Sequence, residues 1–357
     1  MTIFVDSNFT MNFSKQLINW YLQNKRDLPW RETQNPYLIW LSEIMLQQTR
    51  VAQGLPYYEA FITAFPTVFD LANALEEPVL KLWQGLGYYS RARNLHFTAK
   101  YVANELEGNF PKTYKELLAL KGVGDYTAAA IASFSFNEAV PVVDGNVFRV
   151  LARIFEIETD ISNASAKKEF QELALQLMPK NNPALFNQAI MEFGALQCVP
   201  KNPNCEICVF NTTCLALKNN KVAQLPVKLK KTKVTNRFLN YLIFEDEEQN
   251  SLIQKRSAKG IWHNLYEFPL IETDNDVSLE KIIQLISNQF SEQYEVISVE
   301  SLQLVPIKHK LSHQNLSIQF WKIKTNGLLE NGMSFAEIKK YPFPIVIYNF
   351  IEKVFLQ

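Results

Sequence analysis

Two carboxylates and four thiols stand in settings that suit chemistry. Glu43 is the one acid in an apolar run, PYLIWLSEIMLQQTRV, with Leu41, Ile44, Met45 and Leu46 as neighbours. A carboxyl that loses hydration there has its pKa raised, and a neutral carboxylic acid near pH 7 is a proton donor. The plainer role is a glutamate on the polar face of a core helix, paired with an arginine. Gln47, Gln48 and Thr49 follow it and put hydrogen-bonding groups at the helix end. The second acid, Asp144, stands in VVDGN and reads as the N-cap of a helix that begins at Asn146. Amides facing an N-cap carboxylate hold it ionised, and an anion fixed in place also suits a cationic transition state.

Two glycine pairs punctuate the helices. Gly122 and Gly124, in LKGVGDYTAAAI, can take positive φ and let a ligand approach the backbone. The helix expected after them, Tyr126 to Phe134, offers free N–H groups and a positive dipole end to an anion. Such a hairpin suits a nucleic-acid phosphate and reads no base sequence; an ordinary corner between helices fits the same residues. Gly85 and Gly87, in WQGLGYYSRARNL, form a turn expected to present Leu86, Tyr88 and Tyr89 ahead of Arg91 and Arg93. Apolar tips beside arginines suit wedging between bases while holding phosphates, and a helix–helix turn with core aromatics is the bland alternative.

The four cysteines, Cys198, Cys205, Cys208 and Cys214, have the spacing C-x6-C-x2-C-x5-C. Packed so closely in an intracellular chain, cysteines are metal ligands far more often than disulfides. The first spacing is too long for a zinc knuckle, which favours a [4Fe–4S] cluster over zinc. Lys201, in the loop VPKNPN between the first two cysteines, can offer its charge to a phosphate.

These residues need elements to hold them. The chain of 357 residues, 47% hydrophobic and 20% charged, is long enough for two domains with sizeable cores. Its formal net charge is zero, an argument against non-specific nucleic-acid binding unless charge is unevenly spread. It is uneven: Lys218 to Arg237 holds seven basic residues and no acid. The opening MTIFVDSNFT is not a signal peptide and no run reaches membrane-spanning length, so a soluble intracellular protein is expected. Helices are expected over 14–27, 36–51, 146–157, 166–178 and 183–197, with Pro56, Pro66, Pro78 and Pro111 separating others. After the basic stretch the period changes to two. RFLNYLIFEDEEQNSLIQKR reads as strand, acidic turn and strand; a helix over 278–290, strands near 295–305 and 315–324, and a helix near 344–355 complete an α+β domain. His309 and Leu311-Ser312-His313 are expected in the loop between the last two strands.

In this order, a glutamate in an apolar helix, a Gly-x-Gly hairpin, an aspartate 20 residues past Gly124 and a cysteine quartet resemble the helix–hairpin–helix DNA glycosylases of the endonuclease III superfamily. WLSEIMLQQT, LKGVGDYTAAAI, VVDGNVFRVL and the cysteine spacing look like the MutY family of adenine DNA glycosylases, and KRSAKGIWHNLYEFP is similar to its Nudix-like C-terminal domain. The resemblance covers nearly the whole chain. It implies a multidomain fold: an all-α glycosylase domain over 1–217 with the cluster loop at 198–214, a basic linker over 218–236, and an α+β Nudix-like domain over 237–357. It implies a monomeric, cytoplasmic, nucleoid-associated enzyme of base excision repair that removes adenine mispaired with 8-oxoguanine or guanine in double-stranded DNA.

Residue by residue, the resemblance makes Glu43 the acid that protonates adenine N7 and Asp144 the anion beside the oxocarbenium sugar. Tyr126 and Asn146 position Asp144. Lyase-competent relatives carry a lysine at the Tyr126 position; Lys121 is in the hairpin but not there, which implies a monofunctional glycosylase. Leu28, Trp30, Arg31 and Gln188 line the base pocket. Gln48, with Thr49 beside it, fills the stack, and Tyr88 with Leu86 wedges it. Gly122, Gly124 and Lys201 meet phosphate, the four cysteines hold one [4Fe–4S] cluster, and Ser312 and His313 contact 8-oxoguanine. Leu311 stands where the family usually has phenylalanine; leucine wedges but stacks poorly. The glutamate-rich metal box of true Nudix hydrolases is missing after Phe268-Pro269, so no pyrophosphatase activity is expected. The alternatives are a bifunctional endonuclease III-like enzyme acting on oxidised pyrimidines, an iron–sulfur protein that binds DNA without base release, and a zinc-binding regulator.

Overall fold

A computed structural model describes residues 7–229 and 233–355. The opening MTIFVD and the linker positions 230–232 lie outside the described residues. Two compact units emerge: one runs to Asn73 and resumes at Asn94, and the other joins Ala74–Arg93 to the chain beyond the linker.

The first unit is helical among its described residues: α1 (Ser7–Asn24), α2 (Pro36–Met45), α3 (Val51–Ala64), α4 (Val68–Asn73), most of α6 (Ser90–Glu105), α7 (Tyr114–Leu117), α8 (Asp125–Phe136), α9 (Gly145–Ile154), α10 (Ala164–Leu177), α11 (Pro183–Leu196) and α12 (Leu215–Lys218), with α5 (Glu76–Leu82) in the other unit. Asn35 caps α2, its side chain accepting from Tyr37 N at 3.0 Å, and Pro36 takes the first helical position. The apolar run expected as one helix over 36–51 is broken. α2 ends at Met45, and Gln48 adopts φ 58°, a left-handed conformation that no helix continues through, before α3 starts at Val51. Pro56 does not separate helices: α3 passes through it, losing the one bond that a backbone N–H there would have made. Pro78 sits in the first turn of α5, where its missing N–H has no helical partner in any case.

α8 packs on α2, and α9 on α11. Ala128, Ala129, Ala130 and Ala132 of α8 are buried; such small side chains let two helix backbones approach closely. Val147, Val150, Leu151, Phe170, Phe186 and Phe193 fill the core between α9, α10 and α11, with Phe13 and Leu17 of α1 against them.

The second unit is built on a mixed sheet. Its elements are β1 (Thr235–Glu245), β2 (Gln254–Lys255), β3 (Tyr266–Glu267), β4 (Leu270–Thr273), α13 (Leu279–Phe290), β5 (Val296–Ser301), β6 (Ile307–Lys310), β7 (Gln314–Thr325), α14 (Phe335–Ile338) and α15 (Ile345–Phe355). Strand order is β4-β1-β7-β5, with β6 also on β7; β1 and β7 run parallel and the other pairs antiparallel. The expected alternation is absent from the middle of β1, where Leu239 to Phe244 are all buried. Both faces are covered. Leu242 and Phe244 join Ile282 and Ile286 of α13 on one face, while Tyr241 stacks on Phe320, which stacks on Phe350 of α15, on the other. His309 is not in the loop: it lies on β6, and Leu311-Ser312-His313 alone makes the hairpin, closed by Leu311 N donating to Gln314 O at 2.8 Å.

Ala74–Arg93 is tied into this second unit by polar contacts. Lys81 Nζ donates to Lys339 O and Tyr341 O at 2.6 and 3.1 Å, Tyr266 Oη to Glu77 at 2.6 Å, and Arg93 to His263 O at 2.6 Å.

The two hairpin glycines differ. Gly122 has φ +79°, and a Cβ there would fall 2.6 Å from Asn94 Cβ; Gly124 is extended (φ −92°), caps α8, and a Cβ would meet nothing within 4 Å. Gly122→Ala is therefore expected to destabilise the protein by about 1–3 kcal/mol, and Gly124→Ala by less. Thermal melting reads both, and equal losses would contradict this account of the hairpin.

Candidate active site

The close packing of α2 on α8 brings Glu43 under Tyr126. Glu43 is 7% exposed, and the side chain of Tyr126, expected to position Asp144, hydrogen-bonds the Glu43 carboxyl. Burial pushes the Glu43 pKa up to about 7; the Tyr126 bond and the Arg31 charge pull it down, and the Asp144 charge adds to the rise. Burial drives the Tyr126 phenol well above its ordinary range, so it stays a donor.

Asp144 is half-buried as the N-cap of α9. One carboxylate oxygen accepts from Asn146 N and Val147 N at 2.9 and 2.8 Å, and the other accepts from Asn146 Nδ2 at 2.7 Å. Burial raises its pKa above the ordinary aspartate value, and these three donors oppose the rise by favouring the anion. Both carboxylates line one cavity of about 410 Å³ together with Leu28, Trp30, Arg31, Thr49, Tyr126, Asn146 and Gln188, within the usual range of ligand pockets. A neighbouring cavity of about 610 Å³ also reaches Glu43, Tyr126 and Asp144, and adds Gln48 and Gly124. Nine residues singled out from the sequence thus meet at the first cavity. Gly122 and Lys201 line neither.

Arg26, Arg149 and Glu192, which also line the first cavity, escaped the sequence reading. Glu192 of α11 is fully buried and takes Arg26 Nη2 and Arg31 Nη2, both at 2.6 Å. Burial alone would raise its pKa, but the two arginines prevail and hold it at about 2. Arg31 Nη1 is buried without a partner. The signal for Glu192 was available: an acid in the apolar run PALFNQAIMEFGAL is the pattern that marked Glu43. Arg149 of α9 gave no signal. Its Nη2 donates to Asn146 Oδ1 at 2.8 Å, its Nε to Cys198 O at 2.7 Å, and so it joins the residue holding Asp144 to the start of the cysteine loop.

The four cysteines are free thiols around one small cavity whose wall includes Ile154, Phe193, Phe210, Leu217 and Val222. Among the described residues no three His, Cys, Asp or Glu side chains are gathered as a single-ion site. Arg153 Nη1 donates to Cys198 Sγ and Phe210 N to Cys208 Sγ, both at 3.4 Å. Four soft sulfur donors, an apolar wall and N–H groups aimed at sulfur fit an iron–sulfur cluster.

In the second unit Tyr88 is 45% exposed with φ 47°, and its hydroxyl hydrogen-bonds Ser312 Oγ. Leu311 is half-buried and His313 exposed in the same hairpin. Leu86 and Tyr89 are not presented: they are 5% exposed each. Trp83 Nε1 donates to Gly87 O and Arg91 Nη2 to Leu86 O and Gly87 O, at 3.1–3.2 Å, which curls the turn inward. Arg91 and Arg93 thus serve backbone carbonyls of this unit instead of standing ready for phosphate.

Residues 41–176 match the HhH-GPD superfamily of base excision DNA repair proteins, and residues 240–353 match the NUDIX domain. The adenine DNA glycosylase of Buchnera aphidicola subsp. Baizongia pistaciae is 37% identical over 310 residues, covering 87% of this chain and 85% of the relative. The chain belongs to the adenine DNA glycosylase family. The human adenine DNA glycosylase is 45% identical over 222 residues, covering 60% of this chain and 41% of that protein. A thermostable thymine-DNA glycosylase structure superposes with TM-score 0.54 at 30% identity, covering 59% of this chain and 97% of that one. Endonuclease III in a non-covalent DNA complex shares the fold, with TM-score 0.53 at 20% identity over 61% of this chain and 99% of the other.

Membership makes the chain a DNA glycosylase, a hydrolase of N-glycosyl bonds, and the two matched regions accord with a helix–hairpin–helix domain followed by a Nudix-like one. Among the described residues no helix is long and apolar enough to cross a membrane. Glu192, Arg26 and Arg31 together form part of the wall of the first cavity. Glu192→Gln strips both arginines of a buried counter-charge and is expected to cost about 3–5 kcal/mol in stability. Because the folded pKa lies below the ordinary 4.5, the native carboxylate stabilises fully above pH 4.5, and that share is lost as pH falls toward 2. Acid unfolding of the wild type and variant checks this; identical acid profiles would contradict it.

Proposed function

We propose that the chain excises adenine mispaired with 8-oxoguanine, or with guanine, in double-stranded DNA, by hydrolysis without a lyase step. The observation that carries this reading is the pair of unlike carboxyls on one cavity: Glu43 buried with a pKa of about 7, and Asp144 held by three N–H donors. Bond cleavage at a sugar needs one acid kept neutral and one carboxylate kept charged.

The adenine is flipped from the duplex into the cavity, at a cost of roughly a few kcal/mol. Leu28, Trp30, Arg31 and Gln188 surround it. Glu43 donates its proton to N7, which turns the base into a neutral leaving group as the bond from N9 to the sugar breaks. Asp144 stabilises the oxocarbenium sugar until water adds, and the proton that water loses returns to the ionised Glu43 on the same cavity. Tyr126 orients Glu43 through its hydroxyl, and Asn146 holds Asp144. Tyr126 provides no amine at the position where lyase-competent relatives carry lysine, so no Schiff base forms and the strand stays intact. Gln48 fills the vacated stack beside Thr49, and Tyr88 wedges it. Both have left-handed backbones (φ 58° and 47°), and strain of that kind clusters at working sites. Gly122, Gly124 and Lys201 approach phosphate. Ser312 and His313, with Leu311, meet the 8-oxoguanine. Cys198, Cys205, Cys208 and Cys214 hold one [4Fe–4S] cluster, which when bound organises the loop that carries Lys201 and Pro200. The enzyme works as an intracellular, nucleoid-associated monomer.

Incubation with duplexes carrying adenine opposite 8-oxoguanine, guanine or thymine tests the reading. Strand cleavage is expected for the first two, and only after alkali. Cleavage without alkali would favour a lyase, and none in either case would overturn the proposal. Glu43→Gln should slow excision by about 10²–10⁴-fold, and Asp144→Asn should abolish it with duplex binding nearly unchanged; loss of binding in parallel with activity would count against these roles. The single-turnover rate should fall as Glu43 ionises above about pH 7, and should also fall in acid as Asp144 takes up a proton. A rate that rises through pH 7 would contradict an acid at this position.

A further inference from the structure

Behind the cavity wall lies a residue that touches two of its lining groups. Tyr21 of α1 is 2% exposed; its hydroxyl donates to Gln188 Oε1 at 2.9 Å, and the Arg31 guanidinium sits 5.9 Å from its ring centroid. Burial raises the Tyr21 pKa, so the hydroxyl keeps its proton and remains a donor. An amide side chain has two unlike ends, and only its hydrogen bonds decide which end points where. Tyr21 takes the oxygen of Gln188, which leaves Nε2 as the end turned to a ligand. Arg31 is constrained similarly: Glu192 holds Nη2, and Nη1 is buried without a partner. The wall therefore offers N–H donors to a base held in the cavity that Glu43 and Asp144 also line.

We propose that Tyr21 is a positioning residue that locks the Gln188 amide with its N–H toward the base, so that the pocket accepts a purine whose N1 is a hydrogen-bond acceptor. The proposal rests on the reading of this cavity as the adenine pocket. Adenine has a bare N1. Hypoxanthine and guanine carry a proton there and would set donor against donor, and a site built around a hydrogen bond rejects an analogue that leaves it unmade. Without the Tyr21 hydroxyl, the amide is free to turn over and present its oxygen to an N1 proton.

The test compares single-turnover release of adenine and hypoxanthine, each opposite 8-oxoguanine, by the full chain. Wild type, Tyr21→Phe, Gln188→Ala and the double variant are measured side by side. The adenine-to-hypoxanthine rate ratio is expected to fall about 10-fold in Tyr21→Phe, the size of one well-placed hydrogen bond. In the Gln188→Ala background, adding Tyr21→Phe should leave the ratio unchanged. General structural damage would slow both bases together and spare the ratio. A ratio unmoved by Tyr21→Phe, or moved equally in both backgrounds, overturns the proposal. A second arm needs no variant: wild type should release 1-deazaadenine about 10-fold more slowly than adenine, and equal rates would overturn the proposal. Failure of wild type to release adenine at all would sink the pocket reading itself, an outcome distinct from these.

Discussion

The site depends on the exclusion of water from one carboxyl. Glu43 is buried where α2 meets the alanine-rich face of α8, and desolvation there outweighs the Tyr126 bond and the Arg31 charge that favour its anion. Everything else follows from keeping that balance. If α8 carried large side chains in place of Ala128, Ala129, Ala130 and Ala132, α2 would stand farther off, water would enter, and Glu43 would become an ordinary carboxylate. The break at Gln48 matters for the same reason: it ends α2 just past Glu43, so that the chain turns away and leaves the carboxyl facing a cavity instead of the next helical turn.

Three acids in one helical unit show that environment sets the role of a carboxyl. Glu43 and Glu192 both lie in apolar helices and both are buried. Glu43 accepts from the Tyr126 side chain and is pushed up to about 7, whereas Glu192 accepts from two arginines and is held at about 2. At Asp144 burial raises the pKa and three N–H donors oppose the rise. One cavity is thus lined by a desolvated carboxyl, an ion-paired carboxylate and a hydrogen-bonded N-cap carboxyl. α9 adds a mechanical link. Asp144 caps its start, Arg149 on the same helix binds both Asn146 and the Cys198 carbonyl, and Arg153 near its end binds Val199 O, Pro200 O and Cys198 Sγ. The cysteine loop and the Asp144 carboxylate are thus anchored to one rigid rod.

The parts of the fold that depend on local chemistry were legible in the sequence. Asn35-Pro36 and Asp144 announced their helices through capping, and Glu43 stood out against its apolar neighbours. The parts set by tertiary context were not. Pro56 should break a helix and does not. The turn at Gln48 interrupts a run whose hydrophobicity never falters. Leu86 looked like an exposed tip until Trp83 and Arg91 were seen to draw its turn inward. The middle of β1 lost its period of two because helices cover both faces of the sheet. Glu192 was passed over although it carries the same mark as Glu43; Tyr21 and Arg149 carry no mark, since a tyrosine or arginine that orients another side chain looks like any other.

The most direct measurement is the ionisation of Glu43 itself. Carbon-13 titration of the glutamate side-chain carboxyls, with the Glu43 resonance assigned by its loss in Glu43→Gln, reports the pKa without reference to any substrate. The account predicts a midpoint near 7, well above the ordinary glutamate value of about 4.3. A Glu43 midpoint at that ordinary value would contradict it, because no neutral acid would then be present at the pH where the enzyme works.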